Sequence, residues 1–161
     1  MTNVENITLH PWWRFAKLCP QYSNQVSSVM SLLMGGQPKG LGRNFVSIRC
    51  GICGSTEPEK PTHVLFRCIT LNHSRDKWWG LVINSMPDQM VIECRNMTDD
   101  KKVAFLMSCF GNTMITEWTH VYRAVGKFVH NMYIARSEAY DISLRVLSKT
   151  GYVLGLSAAH I

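Results

Sequence analysis

The chain has 161 residues, of which 46% are hydrophobic, and it includes five Trp, six Phe and five Tyr. This composition excludes wholesale disorder and allows one domain with its own core, or at most two small domains. Lys and Arg outnumber Asp and Glu by 17 to 11, and the resulting net charge of +6 favours a polyanionic partner such as nucleic acid, although many globular domains are this basic without one.

The N-terminal residues show no targeting signal. The stretch "MTNVENITLHPWWRF" lacks a basic start followed by an apolar run, and no stretch of the chain is apolar for long enough to cross a bilayer. We therefore expect an intracellular protein, nuclear or cytoplasmic, whose thiols stay reduced. Six Cys in such a compartment indicate metal ligands or buried thiols rather than three disulfides.

The first 21 residues are predicted to form an irregular N-terminal arm. Two prolines, Pro11 and Pro20, work against a continuous helix in this segment. The arm is expected to dock onto the body of the protein through its aromatic side chains, Trp12, Trp13 and Phe15.

Helical periodicity dominates the rest of the chain. Apolar residues recur at helical spacing in "QYSNQVSSVMSLLMGG" and "HSRDKWWGLVINSM", and most strongly in "TMITEWTHVYRAVGKFVHNMYIARSEAY". Another helix is predicted after Thr98, a suitable N-cap, with Asp99 and Asp100 in its first turn, where the helix dipole favours them. The run "QMVIECRN" is ambiguous, residues 45–48 are expected to be extended, and residues 148–161 are predicted to form a weakly structured tail.

The stretch "CGICGSTEPEKPTHVLFRC" carries the pattern of a zinc site. Cys50 and Cys53 are separated by two residues, so both sulfurs can point to one centre from a tight turn. His63 and Cys68 complete a set of three thiolates and one imidazole. Gly54, directly after the second Cys, tolerates the unusual backbone dihedrals that such a turn requires. Four protein ligands leave no open position for substrate, so one structural Zn²⁺ is expected.

The second half of this stretch is expected to begin as a helix with Thr62 as its N-cap. His63 and Cys68 are five positions apart, which places them about 140° out of alignment on an α-helix. The helix must therefore distort near Arg67, or Cys68 must lie just beyond its end. The apolar residues at 64–66 are expected to face inward and to anchor the site to the helices.

The link between the two halves of the site, "STEPEKPT", is polar and is expected to bury nothing. His73 is an alternative fourth ligand, although His63 is preferred because it precedes the apolar turn. The remaining cysteines, in or beside apolar runs, are interpreted as small buried residues: Cys19, Cys94 and Cys109. The predicted fold is mainly α, a helical domain over residues 22–147 with a small CCHC zinc knuckle inserted at residues 45–72.

The order of these elements resembles the C-terminal region of the reverse transcriptases of non-LTR (LINE-type) retrotransposons. The resemblance covers about residues 22–140 and is carried by "SVMSLLMGG", "CGIC…HVLFRC", Arg75 and a long helix that ends in "MYIAR". It implies a zinc-stabilised helical module that helps such an enzyme to hold template RNA or target DNA. The residues that match the family's metal ligands are Cys50, Cys53, His63 and Cys68. The polymerase core is missing, so the chain is expected to be a fragment, a remnant or a domesticated domain.

Basic residues gather around the expected zinc site. The candidate phosphate contacts are Lys39, Arg43, Arg49, Arg67, Arg75 and Lys77. Cations beside a rigid site can follow a nucleic-acid backbone, and Trp78 or Trp79 can stack on bases, although at least one of the two is expected in the core. The sequence shows no recognition helix with base-reading side chains, so binding to RNA or DNA is expected to be only weakly sequence-specific.

Catalytic motifs are not supported. Asp99 and Asp100 resemble the paired aspartates of a polymerase palm, but they begin a helix. Asp88 and Glu93 lie too close together for a nuclease pattern, and Arg95 stands where that pattern needs a Lys. We therefore expect a non-catalytic nucleic-acid-binding zinc module. The alternatives are a zinc-stabilised protein–protein adaptor, which nine Met and exposed aromatic residues would suit, and, third, a nuclease.

Overall fold

A computed structural model describes residues 10–34, 49–108 and 115–149. All regular secondary structure within these ranges is helical, which confirms the predicted mainly α fold. The helices are α1 (Pro11–Leu18), α2 (Ser23–Leu33), α3 (Asn72–Ser85), α4 (Asp88–Asn96), α5 (Asp99–Met107) and α6 (Ile115–Lys149). Short 3₁₀ turns lie at Pro20–Tyr22 and Ile69–Leu71, and a π-helical turn lies at His63–Arg67. Several predictions fall outside the described residues: the extended run at 45–48, most of the tail, Lys39, Arg43 and Cys109.

The segment predicted to be an irregular arm instead contains helix α1, so that prediction was wrong. Pro11 is the first residue of the helix, where its missing N–H is not needed and its fixed φ is already helical. The ring of His10 caps this end by accepting a hydrogen bond from the backbone N–H of Trp12 at 3.3 Å. Trp12 and Phe15, three positions apart, are both buried against Tyr122, with ring centroids 4.9 and 5.4 Å from it.

Helix α6 packs against α1, α2 and α3 and supplies much of the core. The predicted apolar stripe is confirmed, because its central side chains are fully buried: Tyr122, Val125, Phe128, Val129, Met132 and Tyr133. Val121, which was not predicted, is fully buried as well. Burial of each large side chain of this kind contributes about 1.5–3 kcal/mol. No helix in the described ranges is both long enough and apolar enough to cross a membrane.

Helices α3, α4 and α5 follow the CCHC segment (residues 50–68), and α3 packs against α6. Trp79 on α3 lies in an aromatic cluster with Phe66 and Phe128, at centroid distances of 5.1 and 5.3 Å, so one of the two adjacent tryptophans is part of the core as expected. The ambiguous run is helix α4, which buries Cys94. The predicted cap of α5 is confirmed, since the Thr98 hydroxyl accepts a hydrogen bond from the N–H of Lys101 at 3.4 Å.

Candidate metal centre

Four side chains of the CCHC segment, residues 50–68, converge on one point. One ligand atom from each of them lies within 4.8 Å of all the others, in the set Cys50, Cys53, His63 and Cys68. Within the set, Cys53 Sγ lies 3.4 Å from His63 Nε2. A tetrahedron with ordinary Zn–S and Zn–N distances separates its ligand atoms by roughly 3.5–3.8 Å. Small side-chain movements would therefore let this set hold a metal ion.

A tight turn presents the first two sulfurs. The N–H of Gly54 donates to the carbonyl of Cys50 at 3.0 Å, and the N–H of Cys50 donates to the carbonyl of Ser55 at 3.2 Å. Gly54 has φ +70°, the left-handed conformation for which the sequence analysis selected this glycine. Gly51 lies close to α6, since a Cβ there would lie 2.7 Å from the hydroxyl of Tyr140, which would have to shift.

A π-helical turn aligns the other two ligands. The N–H of Cys68 donates to the carbonyl of His63, five residues earlier, at 2.7 Å. Cys68 itself is extended, at φ −61° and ψ 115°, just beyond the end of the turn. The helix therefore distorts by widening, and this removes the misalignment expected on an α-helix. Thr62 is not the N-cap that was predicted, because it is already helical and its hydroxyl donates to Asp100 at 2.6 Å.

The π-helical turn is anchored in the core, as predicted. Val64 and Leu65 are fully buried. Phe66 is half-buried, and its ring lies 5.8 Å from that of Phe128 on α6. His63 and Cys68, the two members of the converging set that this turn carries, are thus attached to the main core of the helical body.

The three thiols differ in pKa because their surroundings differ. Burial raises the pKa of Cys68 to about 12. Burial is also the largest cause of the raised pKa of Cys50. At Cys53 burial acts in the same direction, but hydrogen bonds, first from the backbone of Ser55 and then from Cys50, outweigh it and lower the pKa. Only a deprotonated thiol binds zinc strongly, so an incoming divalent cation would have to displace these protons.

Glu57, which was not among the predicted site residues, orients the imidazole of the set. Its Oε2 lies 3.0 Å from His63 Nδ1, so Nδ1–H donates to the carboxylate and Nε2 is left facing the sulfurs. The Nη1 of Arg67 donates to the other oxygen of Glu57 at 2.6 Å. The hydrogen bond from His63, followed by that from Arg67, lowers the pKa of Glu57 and keeps it ionised. An acidic residue in the link shortly before the ligand His is the signal that could have identified it.

Replacement of Glu57 by Ala is expected to lower the zinc affinity about 10- to 100-fold, because partners that orient metal-bound imidazoles contribute this much. Competition with a chromogenic zinc chelator measures the affinity. The Glu57→Gln variant should lose less zinc affinity than Glu57→Ala, because the amide oxygen of Gln can still accept a hydrogen bond from the imidazole N–H of His63. Thr56→Ala, an exposed position in the same loop, is the control, and equal affinities for the Glu57→Ala and Thr56→Ala variants would contradict the assigned role.

The predicted phosphate contacts lie in different surroundings. Arg75 donates to the carbonyls of Leu65 at 2.8 Å and Cys68 at 2.7 Å, and therefore ties the end of the π-helical turn to α3. Arg49 and Lys77 are exposed, with the Lys77 Nζ 4.9 Å from the ring centroid of Trp78. Their contact with phosphate stays a prediction.

Two further expectations concern the chain around the site. His73, the alternative ligand, is exposed and lies outside the converging set.

The link "STEPEKPT" was expected to bury nothing, and this prediction was wrong. Glu59 is only 2% exposed, and its carboxylate accepts hydrogen bonds from the fully buried Arg136 and, at 2.5 Å, from Tyr140. The signal in the sequence was Arg136, a basic residue within the apolar stripe of the long helix α6, which indicates that a carboxylate is buried beside it.

A scan against protein-family models found no match, and searches of curated proteins and of solved structures found none either. The resemblance to non-LTR reverse transcriptases therefore stays a prediction. The described residues define a mainly helical protein with a cluster of three cysteines and one histidine that could hold a metal ion.

Proposed function

We propose that the chain is a non-catalytic nucleic-acid-binding module whose fold is stabilised by one structural zinc ion. The observation that carries this proposal is the convergence of three sulfurs and one imidazole nitrogen within 4.8 Å. A set of this composition suits Zn²⁺ better than the hard cations, which prefer oxygen ligands. Because the protein supplies all four ligands, the ion would stabilise the fold and would leave no position for a reacting water.

The nucleic-acid part of the proposal is supported by charge. The net charge of +6 favours association with a polyanion. By resemblance, the module would hold RNA or DNA beside a reverse transcriptase of the non-LTR type. Since no base-reading helix was evident in the sequence, phosphate contacts would supply most of the affinity, and single strands of different sequence would bind similarly.

Titration of the zinc-loaded protein into labelled single-stranded oligonucleotides, followed by fluorescence anisotropy, tests this proposal. With four phosphate contacts, we expect a slope of about −3 in log affinity against log salt, or a roughly fifty-fold loss between about 50 and 200 mM salt. Scrambled sequences should bind within about threefold of one another, because phosphate contacts carry no sequence information. Absence of binding at low salt would reject the nucleic-acid function.

A zinc-stabilised protein–protein adaptor is the second candidate, and the last turns of α6 favour it. Ile142 and Val146, four positions apart on the helix, are 61% and 54% exposed. An apolar strip of this kind on a helix is typical of a docking surface for another protein. A zinc-loaded protein that ignores oligonucleotides at low salt would favour this candidate over the first.

A further inference from the structure

The acidic residues are unevenly distributed over the fold. Residues 10–34, which include α1 and α2, contain no Asp or Glu, and neither do residues 118–137 of α6. Within the described residues, the carboxylates lie in the CCHC segment, on α3 to α5, and towards the ends of α6. Helices α1 and α2 pack onto this same stretch of α6, through Tyr122 and Gly126 respectively. One side of the molecule is therefore built from segments that carry no negative side chain.

Helix α1 presents a basic and aromatic face to solvent on this side. Trp12 and Phe15 point into the core, and the exposed side chains lie on the opposite half of the helix: Trp13, Arg14, Lys17 and Leu18. At 100° per residue, these four positions span an arc of about 140°. Trp13 is 45% exposed although it was expected to dock with its neighbours, so nearly half of its surface is accessible.

A third exposed cation, Arg123 on α6, lies near α1. Its guanidinium carbon lies 5.1 Å from the ring centroid of Tyr22, and Tyr22 stacks on Phe15 of α1 at 6.1 Å with an interplanar angle of 17°. Arg123 therefore lies one ring away from α1. Among the described residues, Arg14, Lys17 and Arg123 form no salt bridge with a carboxylate.

The basic residues beside the metal centre, Arg67 and Arg75, are less available to a polyanion than those of α1. Arg67 is surrounded by carboxylates, with the oxygens of Glu57 at 2.6 Å, Asp99 at 3.1 Å and Asp100 at 3.7 Å. A phosphate that approached Arg67 would be repelled by these three negative charges. Arg75, in turn, already donates hydrogen bonds to backbone carbonyls.

We propose that Trp13, Arg14, Lys17 and Arg123, together called the α1 face, are the docking surface for single-stranded nucleic acid. The three cations contact phosphates, and the exposed indole of Trp13 stacks on a base. An unpaired strand is the fitting ligand because the faces of its bases are free to stack, whereas a duplex covers them. This inference rests on the proposed nucleic-acid function. It places the main nucleic-acid-binding surface on the α1 face rather than among the basic residues around the metal centre.

Two triple variants with the same change in net charge test this surface. The first combines Arg14→Ala, Lys17→Ala and Arg123→Ala, and the control removes three other exposed cations through Lys60→Ala, Arg95→Ala and Lys101→Ala. In the anisotropy assay, the first triple variant should lose at least about tenfold in affinity at low salt, and its salt slope should shrink by about 2, or roughly 0.7 for each lost contact. The control should change the affinity by less than about threefold.

The Trp13→Ala variant separates stacking from charge. It should lose about tenfold in affinity while its salt slope stays that of the wild type, because stacking on a base releases no counterions. Circular dichroism and zinc content should match the wild type for every variant, since the replaced side chains are exposed.

Each of the other possible results would reject the proposal that the α1 face binds nucleic acid. Equal losses in the two triple variants would show that only net charge matters. An unchanged first triple variant, in a protein that does bind oligonucleotides, would reject this surface and leave the proposed function standing. A wild type that binds no oligonucleotide would reject both. Binding to phosphatidylserine-containing vesicles that the first triple variant abolishes, with oligonucleotide binding unchanged, would identify the α1 face as a membrane contact instead.

Discussion

Removal of the proposed zinc ion is expected to unfold the CCHC segment and to destabilise the helical body with it. Zinc sites of this type contribute about 10–16 kcal/mol in peptides, which is as large as the stability of a typical domain, about 5–15 kcal/mol. The segment cannot unfold alone, because Val64 and Leu65 are fully buried in the same core as α6. Chelation of the purified protein should therefore abolish much of the helical signal in circular dichroism.

Elemental analysis of the purified protein should find one zinc per chain. Two buried cysteines provide a test variant and a matched control. Cys68 and Cys94 are both fully buried, but only Cys68 belongs to the converging set. Cys68→Ala should lose the metal and unfold, whereas Cys94→Ala should keep one zinc and lose only the stability expected for a small cavity. A folded, metal-free protein that is indifferent to chelators would contradict the zinc proposal.

Local signals were sufficient to predict four of the helices, α2, α3, α5 and α6, and the four side chains that converge in the CCHC segment. The long helix could be found because apolar residues recur every three or four positions, and the cap at Thr98 because its hydroxyl acts on the next turn only. The ligand set was likewise predictable, since two cysteines on one turn with a nearby histidine and cysteine restrict the geometry strongly. The distortion between His63 and Cys68 could also be anticipated, because five α-helical steps would not align them.

Features that depend on distant partners could not be predicted in the same way. Pro11 was interpreted as a helix breaker, yet a proline is favourable at the first helical position. Helix α1 also packs against the ring of Tyr122 on α6, which is distant in the sequence. The ambiguous run "QMVIECRN" gave no clear period, and in the structure it forms helix α4 with Cys94 buried. Glu59 and Arg136 are 77 positions apart in the chain, and nothing in the polar link indicates which carboxylate is buried.

The buried ion pair between Glu59 and Arg136 is expected to be the most sensitive polar contact of the fold. Arg136 is fully buried and Glu59 is 2% exposed, so loss of one partner leaves a desolvated charge. Glu59→Gln should lower the free energy of unfolding by about 3–5 kcal/mol. Tyr140→Phe should cost less, about 1.5–3 kcal/mol, because it removes only the hydroxyl that donates to Glu59 at 2.5 Å.

Urea unfolding at a fixed, saturating zinc concentration measures these effects, since a change in metal occupancy would otherwise shift the apparent stability. Glu138→Gln, an exposed carboxylate on the same helix as Arg136, should stay within about 0.5 kcal/mol of the wild type. The double variant Glu59→Leu with Arg136→Met should be more stable than Glu59→Gln, because it removes both buried charged groups and replaces them with apolar side chains. The reverse order, or a loss below about 1 kcal/mol for Glu59→Gln, would mean that water reaches the pair in solution and screens it. The expected order would instead show that the link is held to α6 by a dry ionic contact, next to the turn that presents Cys50 and Cys53.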